Sequence, residues 1–553
     1  MKHDSKAVQK HIESQGTTFR IRRGASIGEP DAESDEDYLS SCFIDTGDYN
    51  LLEDCKNPQR IIVGRTGAGK SALIFNLKQN QDNVIEIEPE NLSLNYISNS
   101  DIVKNLENSG VKMDIFYNLL WKHVFAVELI KYKFKLSSQE KTQGWVSEIL
   151  ATFRKKDQSK ERALEYLKDW GSKFWHETEY RVKEITQKLE TEISEKLGLD
   201  VKSFSAHESN SDRAPQEKKI EVIHRAQKIV NEIQVKALSD VLHFLADDVF
   251  NDPQEKYYLV IDKLDENWVE DNLRYRLIRA LIETIKSFKI IHNVKIVIAL
   301  RQDLVRSVFE HTRDSGFQEE KYQNLFLNIS WDSKSLENLI NTRISKLISE
   351  QYTSRSIPLK EIFPINVGNI RFLDYLFTRT LYRPRDAIAF VNECLKRSTG
   401  AGKVTATTIR EAEIEYSAQR IEYLNYEWMA QYPEFLKYLK LLERMPAHFK
   451  LSQISKETIE DFCLSCMEIT GTPDPVINTA NKFINSNATQ HAVVVEIVKA
   501  LYTIGVLGLK PDGFTKQMWS YIDTRPPTDG QIKPNSTVDV HPMMWVRLGT
   551  ILD

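Results

Sequence analysis

The chain has 553 residues, of which 41% are hydrophobic and 28% charged, and its formal net charge is -5. That length exceeds what one hydrophobic core supports, so we expect several domains. The slightly acidic balance excludes a protein that coats nucleic acid through bulk positive charge, and no apolar run approaches the ~18–20 residues that cross a bilayer. The first residues also lack the apolar stretch of a secretory signal, which predicts a cytoplasmic protein without a membrane partner.

The chain begins with a stretch of low apolar content. Residues 1–37 carry a small basic cluster followed by an acidic run, a pattern typical of a poorly ordered N-terminal arm. From Tyr38 the pattern is that of an α/β domain. Residues 60–63 form a short apolar strand, a Gly-rich loop and a helix over 70–80 follow, and residues 84–88 form a second strand.

Residues 101–250 interrupt this α/β pattern and are predicted to form a helical insertion. Apolar residues recur every three or four positions over 116–130, which indicates one amphipathic helix. Similar stripes over 182–197 and 220–238 flank a polar break and predict an antiparallel helical hairpin. Such a hairpin serves a partner or a neighbouring copy, or it packs on the core.

The α/β pattern then resumes with three further strand candidates. They cover residues 257–261, 294–300 and 325–329, and a helix over 273–288 separates the first two. Five strands are enough for a parallel sheet covered by helices on both faces. We therefore expect an α/β core built from residues 38–100 and 251–350.

The last two hundred residues are predicted to be mainly helical. Residues 351–430 resemble a helical lid, and residues 431–553 form a separate C-terminal domain. In that domain a helix over 493–507 precedes two strand candidates, at 518–522 and 537–540. Helices followed by a β-hairpin are the outline of a winged helix.

The Gly-rich loop matches the phosphate-binding pattern GxxxxGK[ST] in full. Its glycines allow backbone conformations in which successive N–H groups turn toward phosphates, and the helix that follows adds its positive N-terminal dipole. The lysine reaches the β- and γ-phosphates and the serine hydroxyl ligates Mg²⁺. The predicted binding residues are Gly64, Arg65, Thr66, Gly67, Ala68, Gly69, Lys70 and Ser71. These residues predict binding of ATP or GTP together with Mg²⁺.

A phosphate loop needs an acidic partner for the metal at the end of a neighbouring buried strand. Asp262 directly follows the strand over 257–261 and is the predicted Mg²⁺ ligand. Asp265 and Glu266 come next, and one of them is well placed to take a proton from the attacking water. The alternative is that both are surface acids that cap the following helix.

Three arginines are candidates for contact with the nucleotide. Arg301 ends the strand over 294–300, where a cation can stabilise the charge that develops on the γ-phosphate. An arginine that only forms ion pairs is the alternative. Arg383 and Arg385 begin a helix after a proline-rigidified turn, and either can bring a lid onto the nucleotide.

Taken in chain order, these features resemble the AAA+-related STAND class of ATPases. More narrowly, the chain is similar to a family of bacterial P-loop ATPases often found beside genes for defence against phage. The resemblance implies that Asp262 is the Mg²⁺ acid, that Asp265 or Glu266 is catalytic, and that Arg301 is the sensor arginine. It also implies that Arg383 or Arg385 is the lid arginine, that ATP is preferred over GTP, and that the protein forms homo-oligomers.

Two features depart from the pattern of that family. Many AAA+ proteins place a glutamate directly after the Mg²⁺ aspartate, whereas this chain has Lys263 there. No arginine finger that acts on a neighbouring subunit can be picked from Arg274, Arg276, Arg279, Arg306 and Arg313.

Three functions agree with these observations. The leading hypothesis is an ATPase switch that assembles or changes shape to activate a separate effector protein, in a prokaryotic antiviral system. The second is a DNA-handling ATPase that binds double-stranded DNA through the winged helix and local basic residues (Lys499, Lys510, Lys516 and Arg525). The third is a nucleotide-gated scaffold that binds ATP and hydrolyses little of it.

Overall fold

The computed structural model describes residues 20–89, 113–133, 235–266, 268–313, 319–352, 359–522 and 525–552. Within these residues the chain divides into two compact units. The sheet unit comprises Gly47–Arg65 and Lys70–Ile329, and the helical unit comprises the residues up to Thr46, Thr66–Gly69 and Ser330 onward. The helical hairpin predicted over 182–238 lies almost entirely outside the described residues.

The sheet unit contains the elements expected of the α/β core. Its strands are β1 (Ile61–Gly64), β2 (Val84–Glu86), β3 (Tyr257–Ile261), β4 (Val294–Arg301) and β5 (Phe326–Asn328). Its helices are α2 (Asp48–Glu53), α3 (Lys70–Asn80), α4 (Asp114–Lys133), α5 (Val235–Phe244), α6 (Asp271–Ser287) and α7 (Gln302–His311), and α1 (Glu36–Cys42) precedes them in the helical unit.

The five strands form one sheet in the order β2-β3-β4-β1-β5, and all pairs are parallel. Strands β1 and β3 are buried along their whole length, and β4 is buried up to Leu300. Such continuous apolar runs are characteristic of strands covered on both faces. The prediction of an α/β P-loop fold with a five-stranded parallel sheet is confirmed.

Helix α4 lies in the core of the sheet unit. Twelve of its residues are buried, including Trp121, whose indole N–H donates to the carbonyl of Leu277 in α6 over 2.8 Å. The helix predicted over 116–130 is therefore present, and it packs in the core of the sheet unit. The reason is that α4 is apolar on nearly all sides, which favours burial between other elements.

The helical unit is built mainly from helices. They are α8 (Ser333–Gln351), α9 (Leu359–Ile362), α10 (Phe372–Phe377), α11 (Pro384–Arg397), α12 (Ala406–Glu427), α13 (Phe435–Leu439), α14 (Lys456–Ser465), α15 (Pro475–Ile484), α16 (Gln490–Ile504) and α17 (Pro542–Leu548). A two-stranded sheet, β6 (Asn366–Val367) with β7 (Ile370–Arg371), lies before α10. In the part of the chain that the structure describes, no helix is long and apolar enough to cross a membrane.

The N-terminal segment differs from the prediction of a poorly ordered arm. Residues 1–19 are outside the described part, but Ile21 and Ile27 are buried in the core of the helical unit at 1% and 0% exposure. Asp35 forms a buried ion pair with Arg343 of α8 over 2.5 Å. Two buried apolar residues and one buried carboxylate pack this segment. The charged residues around them made the segment look poorly ordered in the sequence.

The C-terminal sheet also corrects one predicted strand. It contains β8 (His448–Lys450), β10 (Thr537–Val540) and β9 (Leu507–Lys510) in that order, all antiparallel. Strand β10 was expected, but residues 518–522 form no strand, and β9 takes their place beside β10. Gly505 causes the change, because its φ of 99° ends α16 early and leaves the following residues extended.

Candidate functional site

The carboxyl ends of the central strands bring several of the predicted site residues to one edge of the sheet. Gly64, the last residue of β1, lies directly opposite Arg301, the last residue of β4. In β3, Ile261 is in register with Ile298, so Asp262 leaves the sheet one residue later at the same edge. The edge beyond parallel strands is where α/β proteins bind ligands.

The phosphate loop joins β1 to α3 as the motif predicts. Gly67 and Gly69 have φ angles of 76° and 99°, which only glycine adopts readily. Gly64 differs from the expectation, because it belongs to β1 and has no left-handed conformation. A Cβ atom added at Gly67 would lie 2.7 Å from Cβ of Arg385. Both the lack of space and the backbone conformation therefore exclude a side chain at this position.

Lys70 is the first residue of α3 and turns its ammonium group back over the loop. Its Nζ donates to the carbonyl oxygens of Gly64 and Arg65, each at 3.2 Å. Burial lowers the pKa of Lys70, and the carboxylates of Asp265 and Asp262 oppose this shift. These two carbonyl groups hold the ammonium group next to the loop. A bound phosphate could accept the same hydrogen bonds in their place.

Ser71 and Asp262 lie together, as expected for a shared metal site. The N–H of Lys263 donates to Oδ1 of Asp262 over 2.9 Å, and a hydrogen bond with the Ser71 side chain also lowers the pKa of this carboxyl group. Burial raises the pKa of Asp262, and these hydrogen bonds and Lys70 act in the opposite direction. A hydroxyl beside a carboxylate is a ligand pair that suits Mg²⁺.

A further observation agrees with phosphate binding by the loop. The Thr66 hydroxyl oxygen is buried and has no hydrogen-bond partner among the described residues. A buried polar atom without a partner is costly unless a ligand or water satisfies it. Together with the two left-handed glycines and the adjacent ammonium of Lys70, it gives the loop the donors that a bound phosphate requires.

Arg301 and Asp265 lie close together at this edge of the sheet. Arg301 makes an ion pair with Asp303 at 2.8 Å, and its Nε lies 3.7 Å from Oδ2 of Asp265. The Glu266 residue is exposed. Of the two acids predicted as alternatives, Asp265 contacts Arg301, and its charge acts on the pKa values of Lys70 and Asp262.

The turn after Asp262 contains a residue in an unfavourable conformation. Lys263 has a φ of 61°, in the left-handed region where a Cβ atom costs roughly 1–2 kcal/mol. We expect Lys263→Gly to raise the free energy of unfolding by about 0.5–1 kcal/mol, because the relief of strain exceeds the added chain entropy. Lys263→Val should lower it by more than about 1 kcal/mol, since β-branched residues fit this region worst.

Chemical denaturation followed by circular dichroism of the three proteins checks both changes. Equal stabilities for the glycine and valine variants would contradict a left-handed residue at position 263.

The two lid arginines have different surroundings, all within the helical unit. Arg383 is only 2% exposed and pairs with Glu427 of α12 over 3.0 Å, so it is committed to the core. Arg385 lies against the phosphate loop, and its backbone N–H donates to the carbonyl of Gly67 over 3.4 Å. Its guanidinium donates to the carbonyl of Pro30 and to Asp31. Of the two alternatives, Arg385 is the one that contacts the phosphate loop.

One contact of the phosphate loop was not predicted. The indole N–H of Trp331 donates to the carbonyl of Ala68 over 2.8 Å, and the ring lies near Gly69. Trp331 follows shortly after β5, so its place just beyond a strand at the sheet edge was a signal that sequence reasoning could have used. It also directly precedes α8, which begins with Asp332 as its N-cap.

Comparison with known proteins identifies one domain. Residues 334–425 match the family model of a FunZ-associated C-terminal helical domain. The matched residues run from α8 to α12 of the helical unit. The chain is also 23% identical over 544 residues to a putative transposon gamma-delta 80.3 kDa protein of Escherichia coli. That alignment covers 94% of this chain and 66% of the relative's length.

Two solved structures are similar at a low level. The Walker-type ATPase paby2304 of Pyrococcus abyssi gives a TM-score of 0.34 at 11% identity and covers 90% of this chain and 97% of its own. The ORC2 protein of Aeropyrum pernix gives 0.31 at 12% identity, over 90% and 89% of the two chains. The fold assignment rests on the strand order and the phosphate loop of this chain.

Proposed function

We propose that the protein is a Mg²⁺-dependent ATPase. The observation that carries this proposal is a phosphate loop with Gly67 and Gly69 in left-handed conformations, beside a hydroxyl–carboxylate pair formed by Ser71 and Asp262. The N–H groups of the loop and the Lys70 ammonium would bind the phosphates of the substrate. Ser71 and Asp262 would hold Mg²⁺, which when bound neutralises phosphate charge.

The remaining residues at the sheet edge supply the groups that hydrolysis needs. Asp265 accepts the proton of the attacking water, and Arg301 stabilises negative charge that develops on the transferred phosphoryl group. Lys263 lies at the position where many AAA+ proteins have a glutamate, and an ammonium group cannot accept a proton, so we assign the general-base role to Asp265. Arg301 makes ion pairs with Asp303 and Asp265.

Steady-state hydrolysis of ATP and GTP by the purified protein, with Mg²⁺ and with excess EDTA, tests this proposal. We expect turnover that depends on Mg²⁺ and prefers ATP. Tight ATP binding with no turnover would reject hydrolysis and favour the nucleotide-gated scaffold. Absence of both binding and turnover would reject the nucleotide site itself.

We further propose that the ATPase acts as a switch for a separate effector protein. Trp331 and Arg385 contact backbone atoms of Ala68 and Gly67, phosphate-loop residues of the same unit, so a change in these loop residues on nucleotide binding would act on both side chains. Self-association and a role in prokaryotic antiviral defence belong to the same proposal through the sequence resemblance. The mass of the complex isolated from its native host tests for the effector, and full biological activity of a lone monomer would exclude it.

The five arginines considered as fingers for a neighbouring subunit differ in burial and in their ion pairs. Arg279 is buried and pairs with Glu283, and Arg306 pairs with Glu310. Arg276 and Arg313 are exposed. Arg306 is exposed as well and its surface pair is weak, so a finger in a homo-oligomer would come from Arg276, Arg306 or Arg313.

A DNA-handling ATPase is the second candidate. The three-stranded antiparallel sheet β8-β10-β9 with α16 directly before β9 has the order of a winged helix, which supports it. One of the predicted basic contacts, Lys499, is however paired with Asp529 over 2.5 Å. Binding of double-stranded DNA that falls steeply with salt would support this candidate, and no binding at low salt would exclude it.

A further inference from the structure

The loop between β3 and α6 carries both candidate catalytic acids, and one side chain holds its backbone. Arg274, in the first turns of α6, is 8% exposed. Its Nη1 donates to the carbonyl oxygen of Glu266 over 2.9 Å and to that of Asp265 over 3.3 Å. A single guanidinium therefore fixes the two consecutive peptide groups that determine where these acids lie.

The guanidinium is itself fixed from its other side. Its Nη2 donates to Oδ1 of Asp271, at the start of the same helix, over 2.6 Å. Hydrogen bonds from a charged donor are roughly twice as strong as neutral ones, and the planar fork loses little freedom when it makes several of them. Arg274 thus links the helix start to the loop through three oxygen atoms.

Two further contacts make the loop rigid near the clamped carbonyls. Trp268 is buried, and its indole N–H donates to the carbonyl of Leu264 over 3.0 Å. The N–H of Glu266 donates to the carbonyl of Lys263 over 3.1 Å. The Glu266 N–H and the Asp265 carbonyl belong to one peptide group, so Lys263 and Arg274 hold this group from its two sides.

A second arginine on the same helix shows that burial alone does not create this clamp. Arg279 is equally buried, at 7% exposure, but it donates to Glu283 and to the carbonyl of Thr312. Those partners lie outside the loop after β3. The two arginines therefore have the same charge, helix and burial but differ in what they hold.

We infer that Arg274 is a positioning residue that sets the location of the Asp265 carboxylate for hydrolysis. This inference rests on the proposed ATPase activity. It gives Arg274 a role within its own subunit and removes it from the arginines that could serve a neighbour. Displacement of a reacting group by about 1 Å can cost about 10²-fold in rate, so the effect should appear mainly in kcat.

The test compares Arg274→Met and Arg274→Lys with the matched control Arg279→Met. We expect kcat to fall about 10-fold to 10²-fold for Arg274→Met, with KM changed less than about 3-fold. Arg274→Lys should recover part of kcat, because an ammonium can reach one carbonyl but cannot span all three oxygens. Arg279→Met should keep kcat within about 3-fold of wild type. Equal kcat values for the two methionine variants would overturn the inference.

Hydrogen–deuterium exchange of the peptide covering residues 262–270 gives a second measurement that needs no turnover. Faster exchange in Arg274→Met than in Arg279→Met is expected, and equal exchange would overturn the clamp. If wild-type protein shows no hydrolysis, the proposed function fails, and the exchange result still decides whether Arg274 orders the loop. Faster exchange together with unchanged kcat would overturn its role in positioning Asp265.

Discussion

Replacement of Lys70 by alanine is expected to reduce ATP hydrolysis by at least about 10²-fold, because the variant loses the cation aimed at the transferred phosphate. Lys70 brings a full positive charge to the loop carbonyls of Gly64 and Arg65. Without it, the carboxylates of Asp262 and Asp265 would face the phosphates with less compensation. Steady-state phosphate release at saturating ATP and Mg²⁺ measures the loss.

A lysine on the same helix provides the control for this variant. Lys78, in the last turn of α3, pairs with Glu86 on the surface over 2.6 Å, and such exposed pairs contribute little. Lys78→Ala should therefore keep kcat within about 2-fold of wild type. Thermal unfolding of both variants checks that they are folded. Hydrolysis by folded Lys70→Ala at the wild-type rate would rule out this loop as the site of turnover.

The sheet and the phosphate loop could be predicted because their signals are local. The central strands are short and mainly apolar runs, as in residues 257–261, and burial on both faces follows from the absence of polar alternation. The loop requires glycine at positions 67 and 69 and a helix that starts at Lys70. Both requirements are visible within eight consecutive residues.

The choice between Arg383 and Arg385 could not be made from sequence. Both lie in one short motif at the start of α11, and the motif places either within reach of a ligand. What separates them is Glu427, a residue 44 positions away that takes Arg383 into the core. A buried charge needs a partner, and the sequence does not show which distant carboxylate provides it.

The N-terminal segment and β9 were missed for related reasons. Ile21 and Ile27 are two apolar residues among charges, and their burial depends on contacts with helices more than three hundred residues later, such as the bond from the Ile27 N–H to Asn392. Strand β9 begins within an apolar run whose pattern predicts a helix. Only the left-handed Gly505 marks the point where helix becomes strand.

Asp265 and Glu266 are the two candidates for the carboxylate that accepts the proton of the attacking water, and their surroundings predict different effects of substitution. We expect Asp265→Asn to reduce kcat by about 10²-fold to 10⁴-fold, because it removes a carboxylate close to Arg301 and Lys70. Glu266→Gln should reduce kcat by less than about 5-fold, since its side chain is exposed and loss of an exposed group has small effects.

The comparison is informative because the two substitutions are matched. Each replaces one carboxylate by its amide in the same loop, so changes in loop charge are equal and only the position of the acid differs. Binding of a non-hydrolysable ATP analogue should change little in either variant, which separates the chemical step from binding. A larger loss of kcat in Glu266→Gln would reverse the assignment, and it would mean that the loop moves Glu266 toward the phosphates when nucleotide binds. In that case the carbonyls held by Arg274 would be the hinge of that movement, since they connect both acids to the start of α6.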